Sequence, residues 1–299
     1  MADGGIFVQQ LINGLSLGSI YALIALGYTM VYGIVRLINF AHGDILMVGA
    51  YTGYFILIRF GVTPVGVAAA FVAAMTVCAL LGILIERFAY RPLRSAPRLN
   101  SLITAIAVSL ILQNGFRVLP FIGPNPRSFP QPETVSMSFD FLSISGIQIA
   151  VIIVSLILMT GLTLIINFTR RGKAMRAVSF DMQTASLMGI SVNGTISFTF
   201  ALGSVLAAAG GLLYAFSYHQ VSPTMGTMPG LKAFVAAVFG GIGSVPGAML
   251  GGVILGTAET MTKGFLSSQY ADAISFSILI IILLVKPAGI LGKKVRVKV

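Results

Sequence analysis

The sequence predicts an all-α polytopic membrane protein. It should have about eight transmembrane segments plus a glycine-broken helical hairpin, with the N-terminus outside and the C-terminus cytoplasmic. Three observations carry this. Hydrophobic residues make up 57% of the 299 and charged residues 9%, and mean hydropathy is +0.96. Neutral stretches of the ~20 residues that a bilayer crossing needs recur from end to end. These stretches are continuous runs rich in Leu, Ile, Ala and Gly, not the alternating strands of a transmembrane β-barrel. No charged stretch is long enough to build a soluble domain, so the chain reads as one unit over 1–299.

The elements follow in order. No charge lies between Asp3 and Arg36, and the first crossing is read at about 7–35. The second, about 37–58, is interrupted by Asn39-Phe-Ala-His-Gly-Asp44. The third covers about 62–85 and is followed by the basic loop ERFAYRPLRSAPR, 86–98. The fourth covers about 99–116. Prolines at 120, 124, 126, 130 and 132 make 117–141 an irregular loop. The fifth crossing is about 144–168, the sixth about 192–217 and the last about 273–291. Between the fifth and sixth lies a polar island, RRGKAMRAVSFDMQTASLMGI, 170–190. The N-terminus, MADGGIFVQQ, has no positive n-region, so no cleaved signal peptide is expected.

Charge gives sidedness. The net charge is +11, but the basic residues sit in short clusters beside apolar segments. That pattern indicates topology and lipid-headgroup contact, not nucleic-acid binding. The clusters are Arg87/Arg91/Arg94/Arg98, Arg170/Arg171/Lys173/Arg176 and Lys293/Lys294/Arg296/Lys298. The positive-inside rule places all three in the cytoplasm. A plain count of crossings between the second and third clusters fails this test. The glycine-broken span 231–262 repairs it if read as a hairpin that enters and leaves on the outer side. In that reading Ser244 caps the second arm and Pro246 sits in its first turn. Non-helical backbone at such depth, here around Gly241, Gly243 and Ser244, is tolerated only where it is buried in protein or lines a cavity.

Several features bear on function. Gly14 and Gly18, Gly243, Gly247 and Gly251, and Gly252 and Gly256 are spaced by four. This spacing lets helices approach closely, either within a subunit or at a subunit interface or moving seam. At the break in the second segment, Asn39, His42, Gly43 and Asp44 form a candidate lining for a transport route, since broken helices aim backbone dipoles at such routes. The competing reading is that Asp44 caps the half-helix that follows and His42 bonds within the bundle. Glu86, Glu259 and Asp272 fall near predicted helix ends, which leaves Asp44 as the one strong candidate for a buried carboxylate. A transporter driven by protons or sodium often carries more, so energy is expected to come from elsewhere. With two histidines 177 positions apart and no His-Glu-x-x-His arrangement, intramembrane catalysis is poorly supported. The lone Cys78 cannot form a disulfide within the chain, and neither a metal site nor a cofactor is expected.

The island has internal grammar. Asp181 can N-cap a short helix, Met182–Met188, and Gly189 can end it in the left-handed conformation. Two turns are not stable alone, so the helix needs something to dock against. Met182, Ala185 and Met188 would supply the apolar strip.

These residues resemble a known family. RRGKAMRAVSFDMQTASLMGIS is similar to the cytoplasmic coupling loop of permease subunits from branched-chain amino-acid ABC importers. Gly172, Arg176, Ala177, Asp181, Ala185, Gly189 and Ile190 match its pattern. LGSIYALIALGYTMVYGIVRLINFAHGD (17–44), ERFAYRPLRSAPRL (86–99) and KAFVAAVFGGIGSVPGAMLGG (232–252) resemble the LivH branch in the family's order. The resemblance implies a single permease domain that pairs with a LivM-like second permease. Two ATP-binding subunits would lie below and a periplasmic substrate-binding protein above, in the bacterial inner membrane. The chain has no G-x-x-x-x-G-K-S/T phosphate loop, so hydrolysis would belong to its partners. The implied substrates are Leu, Ile and Val, with urea, short amides or other amino acids as the alternative. A stand-alone channel or facilitator is the alternative from another class.

Overall fold

A computed structural model describes residues 2–292 apart from 36, 38, 95, 134, 135, 140 and 141. The expected C-terminal cluster Lys293, Lys294, Arg296 and Lys298 lies outside the described residues. The helices are α1 (Ala2–Val35), α2 (His42–Phe60), α3 (Pro64–Ile85), α4 (Arg98–Val118), α5 (Gly146–Phe168), α6 (Arg170–Phe180), α7 (Met182–Leu187), α8 (Val192–Tyr218), α9 (Thr227–Gly240), α10 (Val245–Phe265) and α11 (Tyr270–Val285). Among the described residues, six segments are long and apolar enough to cross a membrane: Gly4–Val35, His42–Phe60, Pro64–Leu93, Leu99–Val118, Gly146–Phe168 and Val192–Tyr218. Thr227–Gly240 and Tyr270–Val285 are shorter apolar helices.

The core is built on α1. This helix, α2 and α8 are mostly buried, whereas fewer than a third of the residues in the apolar stretches of α3, α4 and α5 are buried. Helix α10 runs antiparallel to α1 along a seam of small residues. Gly14 faces Thr257 and Thr260, Gly18 faces Val253, and Gly252 faces Ala22. A methyl group on Gly256 would stand 2.3 Å from the Cα and N of Gly18. In the hairpin, Gly247 and Gly251 abut Gly240 and Ala236 in the same way. The four-residue glycine spacings therefore serve packing within this chain.

Four sequence expectations are corrected. The segment 86–98 is not simply a loop. Helix α3 continues through a π-turn, Glu86–Tyr90, and a 3-10 turn, Arg91–Leu93. Pro92 lacks an N–H and its ring would crowd the carbonyl four residues back, which favours the looser spacing; Arg91 N–H donates to Glu86 O, five residues back. The segment 117–141 carries β1 (Arg127–Ser128) and β2 (Ser136–Phe139). Strand β2 forms a hairpin with β3 (Leu142–Ser145), and β1 pairs antiparallel with the distant β4 (Gln220–Val221). The island holds two helices, because Thr169 caps α6 by accepting from Gly172 N–H at 3.0 Å. The last helix spans Tyr270–Val285, so its C-terminal limit falls short of 291; from there Ile290 and Leu291 N–H donate to Phe239 and Gly240 O, strapping the hairpin tip.

Candidate functional site

At one end of the bundle α6 and α7 form a folded elbow. A Cβ at Gly172 would stand 2.2 Å from Ile166 O, so glycine is needed where α6 turns against the end of α5. Arg176 donates to Ile166 O, and Arg171 lies 4.6 Å over the ring of Phe198 on α8. Ala177 O accepts from Asp181 N–H, ending α6. Asp181 then caps α7 as expected, accepting from Gln183 N–H at 2.8 Å and Thr184 N–H at 3.1 Å. Gly189 takes φ +80°, which a glycine adopts without steric cost, and lets Ile190 N–H reach Ala185 O at 3.0 Å.

The apolar strip differs from the expected one. Helix α7 ends at Leu187, and Met188 has left helical geometry. Ala185 is buried and Met182 half-buried against the core. The side chains that stand free are Phe180 (91% exposed), Leu187 (87%) and Met188 (79%). Large apolar groups left exposed on an otherwise polar elbow are candidates for a contact surface.

The carboxyl of Asp181 is held below the usual carboxylate range. The causes are Thr184 N–H, then the Thr184 hydroxyl, then Gln183 N–H. A group whose pKa is depressed on folding stabilises the folded form above its unfolded pKa and loses that effect as pH falls through its folded one. The protection of the Gln183 and Thr184 amides against exchange, taken relative to the intrinsic exchange rate at each pH, should therefore hold at neutral pH and fall below about pH 4. In Asp181→Asn that step should disappear.

The break in the second segment lies inside the bundle. His42 abuts Gly27 of α1, and Gly203 of α8 lies at the same level. Gly27 is eight residues before the end of α1, about 12 Å at 1.5 Å per residue. Helix α2 starts there at His42, and Asn39 shapes its entry: Asn39 Oδ1 accepts from Ala41 N–H at 3.1 Å and from the Tyr90 hydroxyl at 2.9 Å. Helix α9 starts at the same place. Gly43 packs on Gly226 and Gly230, so close that a Cβ on Gly43 would stand 2.4 Å from Gly226 O. Two helix N-termini thus meet within the bundle. Asp44 is not the cap, because the helix begins three residues earlier than expected, at His42. It lies in the first turn and accepts from Gln113 Nε2 of α4 at 2.9 Å. His42 is buried edge-on against Tyr28, with ring centroids 4.6 Å apart.

The hairpin tip comes to the elbow end. Ser244 caps α10 as expected, accepting from Gly247 N–H. Gly241 and Gly243 carry positive φ, and Gly33 near the end of α1 faces Gly243. A cleft of about 970 Å³ lies between Arg176, Ser179 and Phe180 on one side and Gly243 to Pro246 on the other. Elbow and hairpin tip are therefore neighbours, while residues 39–44 lie deeper.

Buried carboxylates were under-read from the sequence. Glu86 and Glu259 are both fully buried. Glu259 is bound by Lys232 Nζ at 2.8 Å, Lys263 Nζ at 2.6 Å and the Tyr21 hydroxyl at 2.9 Å, and Lys232 also reaches Asp272 at 2.6 Å. Glu86 pairs with Arg94 and accepts from the Ser197 hydroxyl at 2.5 Å. Each negative charge meets a positive one, as low-dielectric burial demands. Sequence reasoning also missed Gly226, Gly230 and Tyr90. The glycine pair is spaced by four in GTMPG, which was the available signal; nothing local marks Tyr90.

A long apolar bundle with an internal break and a folded elbow at one end defines a multi-pass membrane protein. Residues 10–283 match the family model described as branched-chain amino acid transport system / permease component, and the chain belongs to that family. It is 45% identical to the high-affinity branched-chain amino acid transport system permease protein LivH of Escherichia coli K12, over 96% of each chain. To the corresponding BraD of Pseudomonas aeruginosa it is 43% identical, again over 96% of each chain. A probable LivH of Methanocaldococcus jannaschii is 32% identical over 92% of this chain and 89% of that protein.

Proposed function

We propose that this chain is a non-catalytic permease subunit of an ATP-driven importer that passes Leu, Ile and Val across the bacterial inner membrane. It would pair with a LivM-like permease, with two ATP-binding subunits in the cytoplasm and a periplasmic substrate-binding protein outside. The observation that carries this reading is the 45% identity to LivH across 96% of both chains. Geometry supports the arrangement. Arg87, Arg91, Arg94, Arg170, Arg171, Lys173 and Arg176 belong to the elbow end, where Arg94 bonds Asn193 at the start of α8, as a cytoplasmic face requires. Phe180, Leu187 and Met188 on that face fit a groove in an ATP-binding subunit. Residues 39–44 and the α9 start would line or gate the route at the permease pair.

Cells lacking their own branched-chain permease, supplied with this chain and its partner subunits, should regain uptake of labelled leucine. Unlabelled isoleucine and valine should compete, and urea should not. Uptake of urea or acetamide in place of leucine would move the assignment to the other substrate class.

A further inference from the structure

The proposed function leaves open how movement at the elbow reaches the broken helix, and a set of side-chain bonds, exposed at Arg94–Asn193 and buried at Tyr90–Asn39, spans that gap. Helix α8 begins directly after the elbow, capped by Ser191. Its residues Asn193, Ser197, Phe200 and Ser204 follow one helical face, and that face meets the end of α3. Asn193 Oδ1 accepts from Arg94 at 2.7 Å. Ser197 donates to Glu86, which pairs with Arg94. Phe200 packs on Tyr90 with centroids 5.3 Å apart. Gly82 lies so close to α8 that a Cβ there would stand 2.1 Å from Ser204 Oγ. On the other side of the same turn, the Tyr90 hydroxyl holds Asn39 Oδ1, the atom that shapes the entry to α2. Glu86 and Tyr90 are the two ends of the π-turn, both buried. Single π-turns are rare and concentrate at functional positions, because the wider ring leaves backbone free to shift.

We infer that the Glu86–Tyr90 π-turn is the coupling element of this permease, with Glu86, Arg94 and Tyr90 as positioning residues. Through Glu86 and Arg94 it follows α8. Through Tyr90 and Asn39 it sets the N-terminus of α2, where α2 and α9 meet. The inference rests on the proposed function for its driving event, the closure of ATP-binding subunits against the elbow. A rigid α3–α8 contact turns a tilt of α8 into a displacement of the turn, and the hydrogen bond to Asn39 carries it to Gly43.

The test uses the assembled transporter in lipid. Tyr90→Phe keeps the ring on Phe200 and removes only the hydroxyl. It should assemble and hydrolyse ATP near the wild-type rate, yet move at least about fivefold fewer leucine molecules per ATP, the lower end of ordinary coupling strengths. Asn39→Ala, which removes the bond to Tyr90 and also the one to Ala41 N–H, should lose at least as much, and adding Tyr90→Phe to it should lower the ratio no further, because the shared link is already broken. A second readout does not depend on the solute. In wild type, binding of the ATP-binding subunits should alter amide exchange at Gly43 to Met47, and in Tyr90→Phe it should not. A wild-type leucine-to-ATP ratio in Tyr90→Phe, multiplied losses in the double variant, or an unchanged exchange response would each overturn the inference. A wild-type complex that moves no leucine would instead overturn the solute assignment, and the exchange readout would still decide the π-turn.

Discussion

Leu187→Asp is expected to detach this chain from the ATP-binding subunits of the proposed importer while leaving the bundle folded. Leu187 is 87% exposed, so the substitution removes no internal packing. Burying a leucine in a partner's groove contributes about 1.5–3 kcal/mol, and forcing an unpaired carboxylate into the same groove adds a desolvation cost. A loss near 3 kcal/mol corresponds to roughly a hundredfold weaker association. Co-purification of the ATP-binding subunits and substrate-stimulated ATP hydrolysis should both fall. Undisturbed assembly in Leu187→Asp would move the docking surface away from α7. Ala185 is the wrong probe for this purpose. It is buried at 4% exposure, so a charge there would break the elbow itself and report on folding.

Gly256→Leu is expected to unseat α1 from α10 and lower the stability of the protein. A β-carbon at 256 already meets the Gly18 backbone at 2.3 Å, and backbone cannot swing aside as a flexible side chain can. Overpacking of this kind costs about 1–3 kcal/mol, occasionally more. In lipid the parted helices gain nothing back, since helix association there depends on close packing and not on expulsion of water. Thermal denaturation in detergent should show a lowered midpoint for Gly256→Leu. Gly115→Ala should behave as wild type, because nothing lies within 4 Å of its added methyl. Equal midpoints for all three would mean that the α1–α10 seam contributes little to stability.

What could be read from the sequence was local. Hydropathy marked the apolar segments, and capping chemistry marked Asp181, Gly189 and Ser244, because each acts on backbone within a few residues of itself. Asp44 shows how narrow that margin is. The same capping logic placed it outside the helix, whereas α2 starts at His42, anchored by a bond between Asn39 and Tyr90 that no local pattern predicts. Glu86 and Glu259 looked like end-of-helix charges because Lys232 lies 27 positions before Glu259 and Ser197 lies 111 after Glu86. The β1–β4 pair joins residues 127–128 to 220–221, too far apart and too short for either strand to announce itself. The strip on α7 was misread because a six-residue helix ends before its third expected member. The meeting of α2 and α9 at Gly43 and Gly226 is a tertiary fact, and in the sequence it left only glycines.

The central claim is that this chain serves an importer powered by ATP. Its most direct test is accumulation in proteoliposomes holding the chain, its permease partner, the ATP-binding subunits and the binding protein. With ATP on the side of the elbow and leucine on the other, leucine should build up beyond its supplied concentration, and only when both ATP and the binding protein are present. Leucine that merely equilibrates, at the same rate with and without ATP, would contradict the account and identify a facilitator.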